Sequence, residues 1–227
     1  MSTLKKPLLA IALVASVAVV GCANQASAPS GEGQPADSAV DSAANSAADS
    51  ESDNSAAHAM TLGPKDRNFD LRFIDSMIPH HRGAVVMARE ALEKSERPEI
   101  QTLAQSILDT QRKEIRQLLS WRERWYPDAG EEAMMWDEEM GHDMAMTRQM
   151  ESRMRMVADL GEADDEFDLR FLNAMIPHHE GALVMAQEAL EKSNRSRIQE
   201  MAQEILTTQQ AEIDQMEQWQ QEWYGGS

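Results

Sequence analysis

The chain has 227 residues, with 39 acidic against 21 basic side chains for a formal net charge of −18, and it carries 16 methionines, six histidines and one cysteine. That charge repels nucleic acid and anionic headgroups, a lone cysteine excludes a disulfide framework and any multi-cysteine zinc or iron–sulfur site, and 5% aromatic content disfavours a large all-β core. A helical protein is expected.

The chain opens on an address. Lys5 and Lys6 precede an apolar run from Leu8 to Val20 that is too short to span hydrocarbon comfortably, and Val19, Val20, Gly21 and Cys22 resemble a bacterial lipobox. Residues 1–21 are therefore expected to be a lipoprotein signal peptide and Cys22 the acylated first residue of the mature chain, held in the bacterial cell envelope on its periplasmic or extracytoplasmic face. An uncleaved anchor helix would place the rest outside the cytoplasm just the same. Residues 22–63 are Ala, Ser and Asp rich and nearly free of large apolar side chains, so they cannot offset their ordering entropy and are expected to form a disordered tether. As a flexible coil such a tether spans about 35 Å. His58 and Met60 at its end are expected to be incidental, the alternative being a weak further metal site.

Beyond the tether, one unit is written twice. Residues 69–126 align with 167–224 without a gap at an offset of 98, and 36 of the 58 positions are identical. Each copy reads as two helices: Phe73, Met77, Ala84, Ala88 and Ala91 recur at three- and four-residue steps, a break falls at 95–97, and Pro98 suits the first turn of the next helix. The first repeat (64–130) and the second (165–227) are thus predicted helical hairpins packed about a pseudo-two-fold axis. Residues 131–164 are predicted to be a Met-rich linking helix along them. The expected fold is all-α, a four-helix bundle of two repeated hairpins plus the linking helix; the alternative is two separate bundles completed by dimerisation.

The chemistry sits in MIPHH, at Met77–His81 and again at Met175–His179. At about 100° per residue, His80 and His81 flank Met77 on the inward stripe, and Met87 lies on the His80 side; Met175, His178, His179 and Met185 repeat the pattern. Pro79 and Pro177 sit inside the helical pattern, where each removes a donor and should kink the helix. Adjacent helical residues do not face each other, so one ion is not expected to take both imidazoles of a pair. Pairing across the axis, one His and one Met from each copy, is the preferred geometry. A pure hydrogen-bond network through Gln111, Gln209, Glu114 and Glu212 would also satisfy the rings. In the linking segment, eight methionines fall between Met134 and Met156; Met140, Met144 and Met154 share one helical face as core, and Met135, His142 and Met146 share another, as a metal trap or a subunit contact. Thioether with imidazole suits Cu(I) or Ag(I) better than oxygen-loving cations, and methionine stays a usable ligand where thiolates oxidise.

FDLRF, then MIPHH, then GAxxMAxEAL, then the Q, EI and W positions, occurring twice, resemble the "domain of unknown function 305" (DUF305) family. The resemblance implies a ferritin-like four-helix bundle, frequent export and, in some members, copper handling. It implies motif positions at Met77, His80, His81 and Met87 and at Met175, His178, His179 and Met185.

The leading functional expectation is an envelope protein that buffers or sequesters copper as Cu(I), binding rather than catalysing. Its expected partners are the membrane through Cys22, the ion, and a second copy or a copper-handling protein, with no nucleic acid. Two other classes stay open. One is a structural or interaction module without metal. The other is a ferritin-like di-metal oxidase, although the only Glu-x-x-His spacing, Glu139 to His142, lies outside the repeat.

Overall fold

A computed structural model describes residues 60–225. The signal segment, Cys22, the tether up to residue 59 and His58 lie outside the described residues. In chain order the elements are α1 (Phe69–Lys94), α2 (Pro98–Trp125), β1 (Met134–Asp137), β2 (His142–Ala145), α3 (Arg148–Arg155), α4 (Phe167–Lys192) and α5 (Ser196–Tyr224). The protein is a four-helix bundle of two hairpins, α1–α2 and α4–α5. Among the described residues, no helix is long and apolar enough to cross a membrane.

Each hairpin turns at an equivalent serine. Ser95 and Ser193 leave the helix in an extended conformation, and their side chains accept from the backbone N–H of Arg97 and Arg195 at 3.2 and 3.1 Å. Their carbonyls accept from Gln101 and Gln199 at 2.7 and 2.9 Å, which ties the turn to the next helix. Pro98 occupies the first position of α2, where its missing N–H costs nothing. Both inward stripes are buried, and α1 runs unbroken through Pro79, as α4 does through Pro177.

The hairpins hold each other by reciprocal contacts. Arg97 pairs with Asp168 and Arg195 with Asp70, each at 3.2 Å. The same guanidiniums lie over Trp223 and Trp125 at 4.3 and 4.4 Å. Lys94 donates to the carbonyl of Gly161 and Lys192 to that of Gly63. Every one of these pairs is carried onto its twin by the offset of 98.

Two apolar cores result. The early half of α1 (Phe69, Phe73, Met77) packs with the late half of α4 (Met185, Ala186, Ala189), and the late half of α1 (Ala84, Met87, Ala91) with the early half of α4 (Phe167, Phe171, Met175). Residues 80–81 and 178–179 fall between the cores, at the crossing of α1 and α4.

Two expectations are corrected. Residues 131–164 are not one helix: β1 and β2 form an antiparallel hairpin with Met135 opposite Met144 and Asp137 opposite His142, followed by the eight-residue α3. Methionine spacing mimicked a helical period, but Gly141 takes φ 67° in the turn, and the Gly141 N–H bonds back to the Asp137 carbonyl at 2.8 Å. The tether also ends earlier than Gly63. Met60 and Leu62 are buried in the first core, where fully burying such side chains contributes about 1.5–3 kcal/mol each.

The excursion between the repeats packs on α1 and makes the two halves unequal. Asp75 accepts from Arg122 at 2.6 Å and from the Met134 N–H at 2.8 Å, and Arg122 donates onward to the carbonyls of Gly130 and Glu132. In the second repeat the same positions hold a neutral pair, with Gln220 donating to Asn173 at 2.7 Å on an exposed surface.

Candidate metal centre

The α1–α4 crossing brings together four imidazoles, all with no exposed surface. His80 and His178 meet across the pseudo-axis with ring centroids 3.9 Å apart and planes tilted by 48°. Within each pair the rings diverge, with centroids 6.4 Å apart for His80 and His81 and 6.3 Å for His178 and His179, as helical neighbours must. The outer two reach the second helix of their own hairpin. His179 Nε2 is hydrogen-bonded to Glu212 at 2.8 Å, and His81 Nε2 lies 2.8 Å from Glu114 without hydrogen-bond alignment.

The inner two differ from each other. His178 Nε2 donates to the Arg155 carbonyl at 3.1 Å, the last residue of α3, while neither nitrogen of His80 has a hydrogen-bond partner. The buried Gln111 amide is unpartnered as well. Leaving a buried polar group unsatisfied costs about 1–3 kcal/mol, so this layer is held at the expense of stability.

Two glycines let the layers approach. A Cβ on Gly83 would sit 1.7 Å from the Arg155 carbonyl oxygen and 3.0 Å from His178 Nε2. A Cβ on its counterpart Gly181 would sit 3.1 Å from His80 Nε2, 3.5 Å from Met156 Sδ and 3.7 Å from Met60 Cε. Each inner imidazole thus points at the glycine of the opposite hairpin, and residues 155 and 156 address both crossings: one with oxygen, the other with sulfur.

Burial first, and then the neighbouring imidazoles, hold His80 well below the usual 6.5 and push His178 down to about 3. Both are neutral at pH 7. In the unfolded chain they bind protons near 6.5, so below that pH the unfolded state holds more protons and stability is lost as pH falls toward 3. Above 6.5 these groups leave stability unchanged. Burial raises Asp75 above its usual 3.8, which opposes the loss only in the more acidic range. The metal-free protein should therefore show a lower melting temperature at pH 5 than at pH 7, with a slope of up to about 1.4 kcal/mol per pH unit for each imidazole. Melting temperatures that coincide at about pH 7 and pH 5 would contradict this.

The four motif methionines are fully buried but divided between the cores, Met77 with Met185 and Met87 with Met175, above and below the histidine layer. Of the linking-segment residues, Met135 and His142 share one hairpin face, with Met144 directly opposite Met135. Met144, expected in the core, is half-buried there. Met146 parts from them, turning inward to 9% exposure near Ile78 and Pro79. Met140, also expected in the core, is instead 66% exposed at the hairpin turn. His142 Nδ1 lies 2.9 Å from the Asp143 carbonyl, so Nε2 is the ring nitrogen left for a ligand at this exposed position.

Two neighbours of the layer, the Arg155 carbonyl and Met156, carried no signal in the sequence, and Met60 was expected at most as a weak further site. A carbonyl has no sequence signature, but the start of the unit did. Carrying the offset of 98 upstream aligns Leu62, Gly63 and Asp66 with Leu160, Gly161 and Asp164, so the repeat begins before residue 69 and takes in the segment that carries Met60. Arg72 and Arg170 bind these segments through Leu62 and Leu160 at 2.6 and 2.7 Å. Among the described residues no three His, Cys, Asp or Glu side chains converge as metal ligands.

A family described as "Domain of unknown function (DUF305)" matches residues 70–220 in a single span over both hairpins. Among solved structures, the chain is similar to CopM in its Cu(I)-bound form, with 33% identity, a TM-score of 0.54 and coverage of 68% of this chain and 97% of that one. CopM in an Ag-bound form obtained by soaking matches at 32% identity, TM-score 0.54, with the same coverage. A DUF305 fragment from Deinococcus radiodurans matches at 28% identity and TM-score 0.53, covering 68% of this chain and 95% of that one. "Uncharacterized protein L153" of Acanthamoeba polyphaga mimivirus is 39% identical over 49 residues, 22% of this chain and 32% of that protein, so the chain spans about a third of that relative's length.

Proposed function

This chain belongs to the DUF305 family, and on that premise we propose that it is a lipid-anchored cell-envelope protein that binds Cu(I) through imidazole and thioether groups and buffers or sequesters it. Its work is binding, not catalysis. The observation that carries this reading is the His80–His178 pair: two buried, neutral imidazoles at 3.9 Å, one of them without any hydrogen-bond partner, in a methionine-rich interior. A purely structural layer gains nothing from an orphaned imidazole, whereas a soft-ion site needs a free nitrogen lone pair. Similarity to CopM, whose structures include Cu(I)-, Cu(II)- and Ag-bound forms, supports the choice of ion.

His179, hydrogen-bonded to Glu212, and His81, beside Glu114, are read as positioning groups that orient the layer. The hairpin face of Met135, Met144 and His142 is proposed as a second, more accessible ligand group. The charged start, the apolar run and Cys22 support export and a lipid anchor, which would keep this sink outside the cytoplasm.

Titrating the full chain with Cu(I) under anaerobic, reducing conditions against a competing chelator tests the proposal. Binding is expected, together with a higher melting temperature; an ion held at about 100 times its dissociation constant adds about 2.7 kcal/mol. Replacing all four histidines of the layer should remove the tight phase. Unchanged stoichiometry and affinity in that variant would reject the assignment.

A further inference from the structure

We infer that the tight site is single and asymmetric: a soft monovalent ion is held at the first-repeat imidazole by His80 Nε2, Met156 Sδ and the Met60 thioether, against Gly181. This rests on the proposed Cu(I) binding and deepens it by naming the ligands.

The two crossings of the histidine layer are related by the repeat, yet the end of α3 breaks their symmetry. At the Gly83 crossing, the nitrogen of His178 is already occupied by the Arg155 carbonyl, and Gly83 is buried beneath that oxygen. At the Gly181 crossing, neither nitrogen of His80 has a hydrogen-bond partner, and a Cβ on Gly181 would meet His80 Nε2 first and then the sulfur of Met156 and the methyl of Met60. From a Cβ placed on Gly181, His80 Nε2 would lie at 3.1 Å, Met156 Sδ at 3.5 Å and the Met60 methyl at 3.7 Å, so the nitrogen and the sulfur are at most about 6.6 Å apart. Rotation about the flexible methionine side chains closes such a gap onto one ion.

Two further features favour this half. Met156 is the one non-glycine among the described residues with positive φ, at φ 47° and ψ 36°. Left-handed backbone is a common way for a helix to end, and Met156 is the C-cap of α3, its N–H bonded to the Arg153 carbonyl. Here it aims residue 156 inward immediately after residue 155 has turned its carbonyl to His178. Gly181 is only half-buried, unlike Gly83, so this crossing lies nearer to solvent. The donor set, one neutral nitrogen and two thioethers, selects Cu(I) or Ag(I). Binding uses the Nε2 lone pair, with the ring proton on Nδ1, and moves no electrons.

The test uses the full chain with methyl-labelled methionine and Ag(I) as the probe, followed by Cu(I) competition on variants. The first equivalent of Ag(I) should shift the methyl signals of Met60 and Met156 and leave those of Met87 and Met175 in place. Met156→Leu, which keeps the volume, and Gly181→Ala, which keeps every ligand but fills the space, should each weaken the tight phase at least tenfold. If the first equivalent moves Met87 or Met175 instead, or if both variants bind as the unaltered chain does while the four-histidine replacement does not bind, the ligand assignment is overturned and the Cu(I) reading stands. If the unaltered chain binds neither ion, both fall together. Should Met156→Leu not fold, Gly181→Ala and the methyl shifts decide the matter.

Discussion

Gly83→Ala should destabilise the protein by about 3 kcal/mol or more, the scale of a severe overpacking defect, because the new methyl would sit 1.7 Å from a backbone oxygen rather than from a side chain that can swing away. That oxygen, on Arg155, is fixed twice over, by α3 behind it and by His178 in front of it. The added carbon can be accommodated only by moving α3 off α1, which breaks the hydrogen bond to a buried imidazole. The matching change in the second repeat, Gly181→Ala, should cost far less, since its nearest neighbours are ring and thioether atoms at 3.1 Å and beyond. Urea unfolding of the two variants at neutral pH reads the difference as a shift in midpoint at constant slope. Equal midpoints for the two would show that α3 is not seated as described. Two positions that are identical in sequence are thus set apart by an excursion that only one of them supports.

Arg72→Ala carries the other large effect, about 3–5 kcal/mol, the cost of removing one partner from a buried charged network. Arg72 has no exposed side chain. It donates to the carbonyls of Leu62 and Pro64 and to Asp143, each at 2.6 Å, and lies over the Trp136 ring at 5.2 Å. One guanidinium therefore pins both the segment carrying Met60 and the second strand of the hairpin onto α1. Its twin, Arg170, makes the same type of contacts to Leu160, Glu162 and Asp164, but with 30% of its side chain exposed, so solvent screens and replaces part of what is lost. Arg170→Ala should cost less than half as much. Thermal unfolding of both variants at one pH checks the order; if Arg170→Ala were the more damaging, the excursion would not be anchored through Arg72. In the Arg72 variant, residues 64–66 should also gain amide exchange before the bundle does, because Arg72 holds the Pro64 carbonyl and the Asp66 carboxylate, whereas Leu62 keeps its bond to Glu188 and its place in the core.

Much of the architecture was legible in the residues. The offset of 98 and the three- and four-residue apolar steps are local properties, and local periodicity is what sets helix type and inward face. Pro98, Ser95 and Ser193 marked the hairpin turns because caps and breaks act within a few residues. The convergence of His80 with His178 followed from symmetry: an identical buried motif on two copies meets itself at the axis. The excursion departs from a helix although methionine is a good helix former whose spacing carries an apparent period; the contrary signals are two glycines, Gly141 and Gly161, both with positive φ.

Repeat, period and residue type are all written along the chain, and they suffice to specify a duplicated helical unit with imidazoles and thioethers turned inward. Which sulfur stands beside which nitrogen was settled only in three dimensions. Met60 and Met156 come to the Gly181 crossing, where His80 Nε2 also lies, through the docking of a short helix and of the segment before α1. The four motif methionines, though two of them lie only three and seven residues from His80, are shared between the two apolar cores. Close packing and the hydrogen-bonding needs of a few carbonyls broke the symmetry of the repeat, and neither is encoded by spacing.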